Sequence, residues 1–84
     1  MIKIIDLYAS WCKPCSVMAP ILDEVSKELG IEIEKINIEE NDEVAEYYEV
    51  RSIPTLIFFK DKIQVLKITG SKTKKQLIDI INKL

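Results

Sequence analysis

Both cysteines of the chain stand in the stretch SWCKPCS, residues 10–16, with Lys13 and Pro14 between Cys12 and Cys15 and Trp11 in front. Such a pair can be a structural staple, a metal clamp or a reactive dithiol. A disulfide stabilises chiefly by closing a long loop in the unfolded chain, and a bridge from Cys12 to Cys15 closes almost none. A closed zinc or iron–sulfur site asks for about four thiolate or imidazole ligands. The chain holds two cysteines and no histidine, so a metal would need two chains. A dithiol that opens and closes remains, the use expected of C-x-x-C beside a strand–helix–strand unit.

The flanking residues supply that unit. IKIIDLY (2–8) is rich in Ile and Leu and reads as a buried strand. Over residues 13–29 apolar side chains recur at Val17, Ile21, Val25 and Leu29, widened by Met18 and Leu22, with Asp23, Glu24, Lys27 and Glu28 on the other face. That period predicts an amphipathic helix, kinked at Pro20 and stopped at Gly30. IEIEKINI (31–38) alternates apolar and polar residues as a second strand, and the short crossover requires it to run parallel to the first. Residues 42–50 predict a two-turn helix capped by Asp42, with Val44, Tyr47 and Tyr48 as its packing positions. TLIFF, from Thr55, is continuously apolar and reads as a central strand; the KDK connection then demands an antiparallel partner in IQVLKI (63–68). Thr73 with Gln76 gives a capping-box signature for a last helix carrying Leu77, Ile78, Ile80, Ile81 and Leu84. The order β-α-β-α-β-β-α predicts an α/β fold with a mixed four-stranded sheet and three helices.

Within that frame Cys12 lies at the start of the first helix, where unpaired backbone N–H groups and the macrodipole favour an anion. Such placements lower a thiol pKa from about 8.5 into the range of roughly 3.5–7.5. Cys12 is therefore expected to be the nucleophile, and Cys15, one turn on and facing inward, the resolving cysteine. Cys12 would attack a substrate disulfide, and Cys15 would displace the reduced substrate from the mixed disulfide. Pro14 needs no intrahelical donor early in the helix and stiffens the spacer.

Composition narrows the partners. Apolar residues make up 48% and charged residues 31%, a balance that supports one folded domain over residues 1–84. The net charge of −2, with basic residues scattered, gives no footprint for nucleic acid or an anionic membrane. No apolar run approaches a membrane span, and Asp6 interrupts MIKIID before a signal-peptide core could form. A cytoplasmic monomer without metal or other cofactor is expected.

ASWCKPC, followed by MAPILDEV, KINIEEND, VRSIPTLIFFK and TGSKTKKQL, resembles the thioredoxin family along nearly the whole chain. W-C-x-P-C with I-P-T some forty residues later is far more specific than C-x-x-C alone. The resemblance implies a thioredoxin-like fold and a protein-disulfide reductase whose cofactor-like element is the Cys12–Cys15 disulfide itself. Its partners would be disulfide-containing proteins and a thioredoxin-reductase-type or other electron donor. It makes Asp6 the buried acid that exchanges a proton with Cys15, Lys35 the partner of Asp6, and Pro54 a cis-proline facing the dithiol. Ile53 would then offer its backbone to an extended substrate strand, and Trp11, Lys13 and Pro14 would shape the substrate surface.

Three departures from the family pattern stand out. The chain begins at what resembles the family's second strand, hence four strands and a glutaredoxin-like size. Tyr8 stands where a tryptophan is common, and Lys13 replaces the usual glycine, adding positive charge beside Cys12. Other readings of the same residues are a glutathione-coupled glutaredoxin-like protein, a non-catalytic binding module and a dimeric metal carrier.

Overall fold

The structure, a computed structural model, describes residues 1–84. Its elements follow the expected order: β1 (Ile2–Tyr8), α1 (Lys13–Leu29), β2 (Glu32–Asn37), α2 (Asp42–Tyr47), β3 (Thr55–Lys60), β4 (Ile63–Thr69) and α3 (Lys74–Asn82). The sheet runs β2-β1-β3-β4, with β1 parallel to β2 and antiparallel to β3, and β3 antiparallel to β4. The apolar run Thr55–Phe58 is fully buried because β3 is an inner strand with side chains covered on both faces.

On one face Ile4, Leu56 and Phe58 pack against Met18, Leu22 and Val25 of α1 and Leu77 and Ile81 of α3. On the other, Ile5, Leu7 and Ile57 meet Val44 and Tyr48. Burying a side chain such as Leu22 or Phe58 contributes about 1.5–3 kcal/mol, so the α1 face anchors the helix that presents the dithiol. No helix is long and apolar enough to cross a membrane.

Local signals explain the helix ends. At α3, Gln76 N–H donates to Thr73 Oγ1 at 3.1 Å and Thr73 N–H donates to Gln76 Oε1 at 2.9 Å, completing the capping box. Gly30 ends α1 at φ 62°, where Ile31 N–H reaches back to Ser26 O at 3.2 Å.

Three local expectations need correction. The buried stripe of α1 is Cys15, Met18, Leu22 and Val25, while Val17 is 58% exposed. Counting a 3.6-residue period from the inward-facing Cys15 gives that stripe directly. The N-cap of α2 is Asn41, which makes no side-chain cap bond; Asp42 lies in the first turn, where its charge suits the helix dipole. Tyr47, expected to pack, is 79% exposed at the end of this short helix.

Candidate active site

β1 ends at Tyr8, and Ala9-Ser10-Trp11 turns the chain into α1, with Cys12 N–H donating to Ala9 O at 3.1 Å. Cys12 is the N-cap of α1: its backbone is extended and its Sγ accepts the N–H of Cys15 at 3.2 Å. A helix start ordinarily uses a Ser, Thr, Asp or Asn oxygen there. Here the sulfur occupies that place, receiving the Cys15 N–H at the positive end of the helix dipole. Pro14 falls in the first turn, where no intrahelical donor is needed.

Cys12 and Cys15 form a disulfide with their Cα atoms 5.3 Å apart. Both are buried in this oxidised form, at 4% and 6% exposure, so burial does not separate an attacking from a resolving sulfur. Position on the helix does differ, because Cys12 alone is the cap. Trp11 is 69% exposed beside the pair, and Lys13 is also exposed. Ile53 packs against the cluster of Ala9, Cys12 and Cys15, and the Ile53–Pro54 peptide is cis. Gly70 N–H donates to Pro54 O at 2.9 Å and Ser71 Oγ to Pro14 O at 3.4 Å, which draws the β4–α3 loop to the dithiol.

Asp6 points from β1 toward α1 and is 4% exposed; its Oδ1 has no hydrogen-bond partner. Burial pushes its pKa from 3.8 up to about 6, against a smaller lowering by the charge of Lys35. Asp6, Tyr8, Cys15, Ser16, Ala19 and Lys35 line a cleft of about 220 Å³. That volume has room for several water molecules at about 30 Å³ each, so the acid and Cys15 share one cleft that water can enter. A larger groove, about 710 Å³, lies at the other end of β1, around Ile2, Tyr48 and Lys62; it contains neither cysteine and belongs to a different region.

Lys35 is paired in register with Asp6 across β1 and β2 and lines the same cleft. Its ammonium, however, donates to Asp23 Oδ1 at 3.1 Å. The structure thus brings Lys35 beside Asp6 but spends its direct contact on an acid of α1.

Two contacting residues escaped the sequence reading. Glu39 Oε1 accepts both the N–H and the Oγ–H of Ser10, at 3.2 and 2.8 Å, tying the loop before Cys12 to the segment after β2. In sequence, Glu39 sits in the acidic run IEEND and reads as solvated. Only the parallel β1–β2 ladder, continued by Ile38 N–H to Tyr8 O at 2.8 Å, reveals its place. Asp23 likewise reads as a member of the wet helix face. No group of three or more His, Cys, Asp or Glu side chains converges to hold a metal.

A cysteine pair bridged at a helix N-terminus, on a mixed sheet and next to a buried acid, defines a thiol–disulfide oxidoreductase. The family model described as Thioredoxin matches residues 1–83, and the chain belongs to the thioredoxin family. The thioredoxin of Chlamydia pneumoniae is 49% identical over 81 residues, covering 95% of this chain and 79% of that protein. A mutant thioredoxin from Halobacterium salinarum superposes with a TM-score of 0.93 at 33% identity, over 98% of this chain and 73% of the other. Oxidised mitochondrial thioredoxin 3 from Saccharomyces cerevisiae gives a TM-score of 0.90 at 31% identity, over 99% and 78%.

Proposed function

We propose that the chain reduces disulfides of protein substrates, with Cys12 as nucleophile and Cys15 as resolving cysteine. One observation carries the division of labour: Cys12 Sγ is the helix-capping acceptor, receiving the Cys15 N–H at 3.2 Å. In the reduced protein the Cys12 thiolate attacks one substrate sulfur, forming a mixed disulfide and releasing the other sulfur as a thiolate. Cys15 then gives up its proton and attacks Cys12 Sγ. The second substrate thiolate leaves, and the Cys12–Cys15 disulfide holds the oxidising equivalent, two electrons having passed to the substrate. Asp6 is the group that takes the Cys15 proton, through water in the shared cleft, and returns it when the disulfide is reduced. The charge of Lys35 makes Asp6 somewhat more acidic, against the larger opposing effect of burial.

The substrate surface is Trp11, Lys13, Pro14, Ile53 and Pro54. Trp11 and Ile53 offer apolar area beside the sulfurs, and the backbone at Ile53 pairs with an extended substrate segment. On this reading residues 1–84 act as one domain and a monomer in the cytoplasm, where a thioredoxin-reductase-type or other electron donor recharges the dithiol. Neither nucleic acid nor membrane takes part.

The test is reduction of insulin disulfides in the presence of dithiothreitol. The intact chain should accelerate it and Cys12→Ser should not, while pre-reduced Cys15→Ser, freed of dithiothreitol before insulin is added, should accumulate a mixed disulfide visible by mass. Acceleration that survives Cys12→Ser would refute the assignment.

A further inference from the structure

We propose that Asp23 is a positioning residue for Asp6: its carboxylate holds the Lys35 ammonium at the outer rim of the cleft and so leaves the buried carboxyl without an ion partner. The inference rests on the reading of Asp6 as the proton carrier for its functional consequence, but not for its geometry.

Asp6 and Lys35 are direct partners across the parallel β1–β2 ladder, so their side chains leave the sheet on the same face. From above, α1 lays Cys15, Ala19 and Asp23 along one ridge at intervals of four residues, the spacing that stacks side chains on a helix face. Cys15 and Ala19 line the cleft. Asp23, one turn further, closes on Lys35 Nζ at 3.1 Å, while Asp6 Oδ1 keeps no partner. Few groups compete for this arrangement. β1 itself contributes Tyr8, β2 contributes Lys35, α1 contributes Cys15 and Asp23, and opposite Asp6 on β3 stands the apolar Leu56. Lys35 is thus the one cation facing Asp6, and its position shifts how readily that carboxyl ionises, beside the larger effect of burial. With Asp23 charged, Lys35 is held away and Asp6 keeps its proton to higher pH. With Asp23 neutral, Lys35 can turn inward along its flexible stem and pair with Asp6.

The experiment is a carboxyl-carbon NMR titration of Asp6 in the oxidised protein, in which neither cysteine titrates. Asp23→Asn should lower the Asp6 midpoint by about one pH unit, the lower end of what a close opposite charge does to a carboxyl. Asp23 is 61% exposed at its side chain, so the substitution leaves the core intact. In a Lys35→Gln background the same substitution should leave the midpoint where Lys35→Gln put it. No shift in the first case overturns the proposal. An equal shift in both backgrounds also overturns it, because Asp23 would then act on Asp6 directly by its own field. The pH profile of insulin reduction separates this from the role of Asp6. If the Asp6 midpoint moves in Asp23→Asn and the kinetic limb does not follow, the positioning of Lys35 stands and proton transfer by Asp6 falls.

Discussion

Asp6 should make the oxidised protein less stable at neutral pH than in mild acid, and Asp6→Asn should remove that loss. The carboxyl is 4% exposed and its Oδ1 is unpartnered. Burial therefore dominates, raising the pKa from 3.8 to about 6. Below pH 3.8 the carboxyl is protonated in both folded and unfolded chains, and the contribution of the neutral group is fully present. As pH rises the unfolded chain releases a proton that the folded chain retains, so stability falls until the folded group also ionises near pH 6. The gap of roughly two pH units is worth about 3 kcal/mol, at about 1.4 kcal/mol per unit. Urea unfolding of the oxidised wild type and Asp6→Asn, each at about pH 4 and about pH 7.5, isolates this quantity, since other carboxylates cancel in the double difference. The variant should gain about 2.4 kcal/mol relative to wild type between the two pH values, since the unfolded carboxyl is already partly ionised at about pH 4. For urea slopes of about 1–3 kcal/mol/M, that is a relative midpoint change of about 0.8–2.4 M. A variant-to-wild-type difference that is the same at both pH values would refute the reasoning, because the folded carboxyl would then ionise as it does in the unfolded chain.

Two further perturbations test other parts of the site and fold. Lys13→Gly should raise the Cys12 pKa by about half a pH unit, since a charge about 6 Å away contributes about 0.7 kcal/mol in water-like dielectric. Thiolate absorbance reads the change; an unchanged or lower pKa would dismiss any influence of Lys13, and the expected rise should make the protein slightly more reducing. Glu49 ends α2 at φ 53°, its N–H donating to Glu46 O while Val50 N–H reaches Ala45 O, the double bond pattern that usually has glycine at this position. Glu49→Gly should stabilise the fold by about 0.5–1 kcal/mol, relief of left-handed strain outweighing glycine's added entropy. A lowered thermal midpoint would mean that the Glu49 side chain contributes more than its exposed position suggests.

The fold was legible because each element carries its own signal. A helical period marks residues 13–29, glycine stands at position 30, the capping box joins Thr73 to Gln76, and the apolar run from Thr55 allows little but an inner strand. The dithiol was legible for a related reason: two cysteines separated by two residues, and no histidine, leave few chemistries open. What escaped depends on register between distant segments. Lys35 looks free to serve Asp6 in the sequence, and nothing local shows that a helix residue twelve positions earlier takes its ammonium. Glu39 looks solvated until the β1–β2 ladder carries it to Ser10. The exposure of Val17 was missed because several apolar phases fit one helix, and only contact with the sheet selects among them.

Asp6 and Cys12 show two opposite ways of setting a proton's place within one small fold. At Cys12 the helix start offers the Cys15 N–H and its dipole to the sulfur, an arrangement that favours the charged form once the disulfide is opened. At Asp6 the core withholds such partners, so the neutral form is favoured and a carboxyl keeps its proton toward neutral pH. The first arrangement adds to stability, because a sulfur also serves as the helix cap. The second detracts from it by about 3 kcal/mol above pH 6, a substantial part of the roughly 5–15 kcal/mol that holds a domain together. A leucine or asparagine at position 6 would avoid that loss. The proposed proton transfer gives that acid a use, because Cys15 shares its cleft from α1.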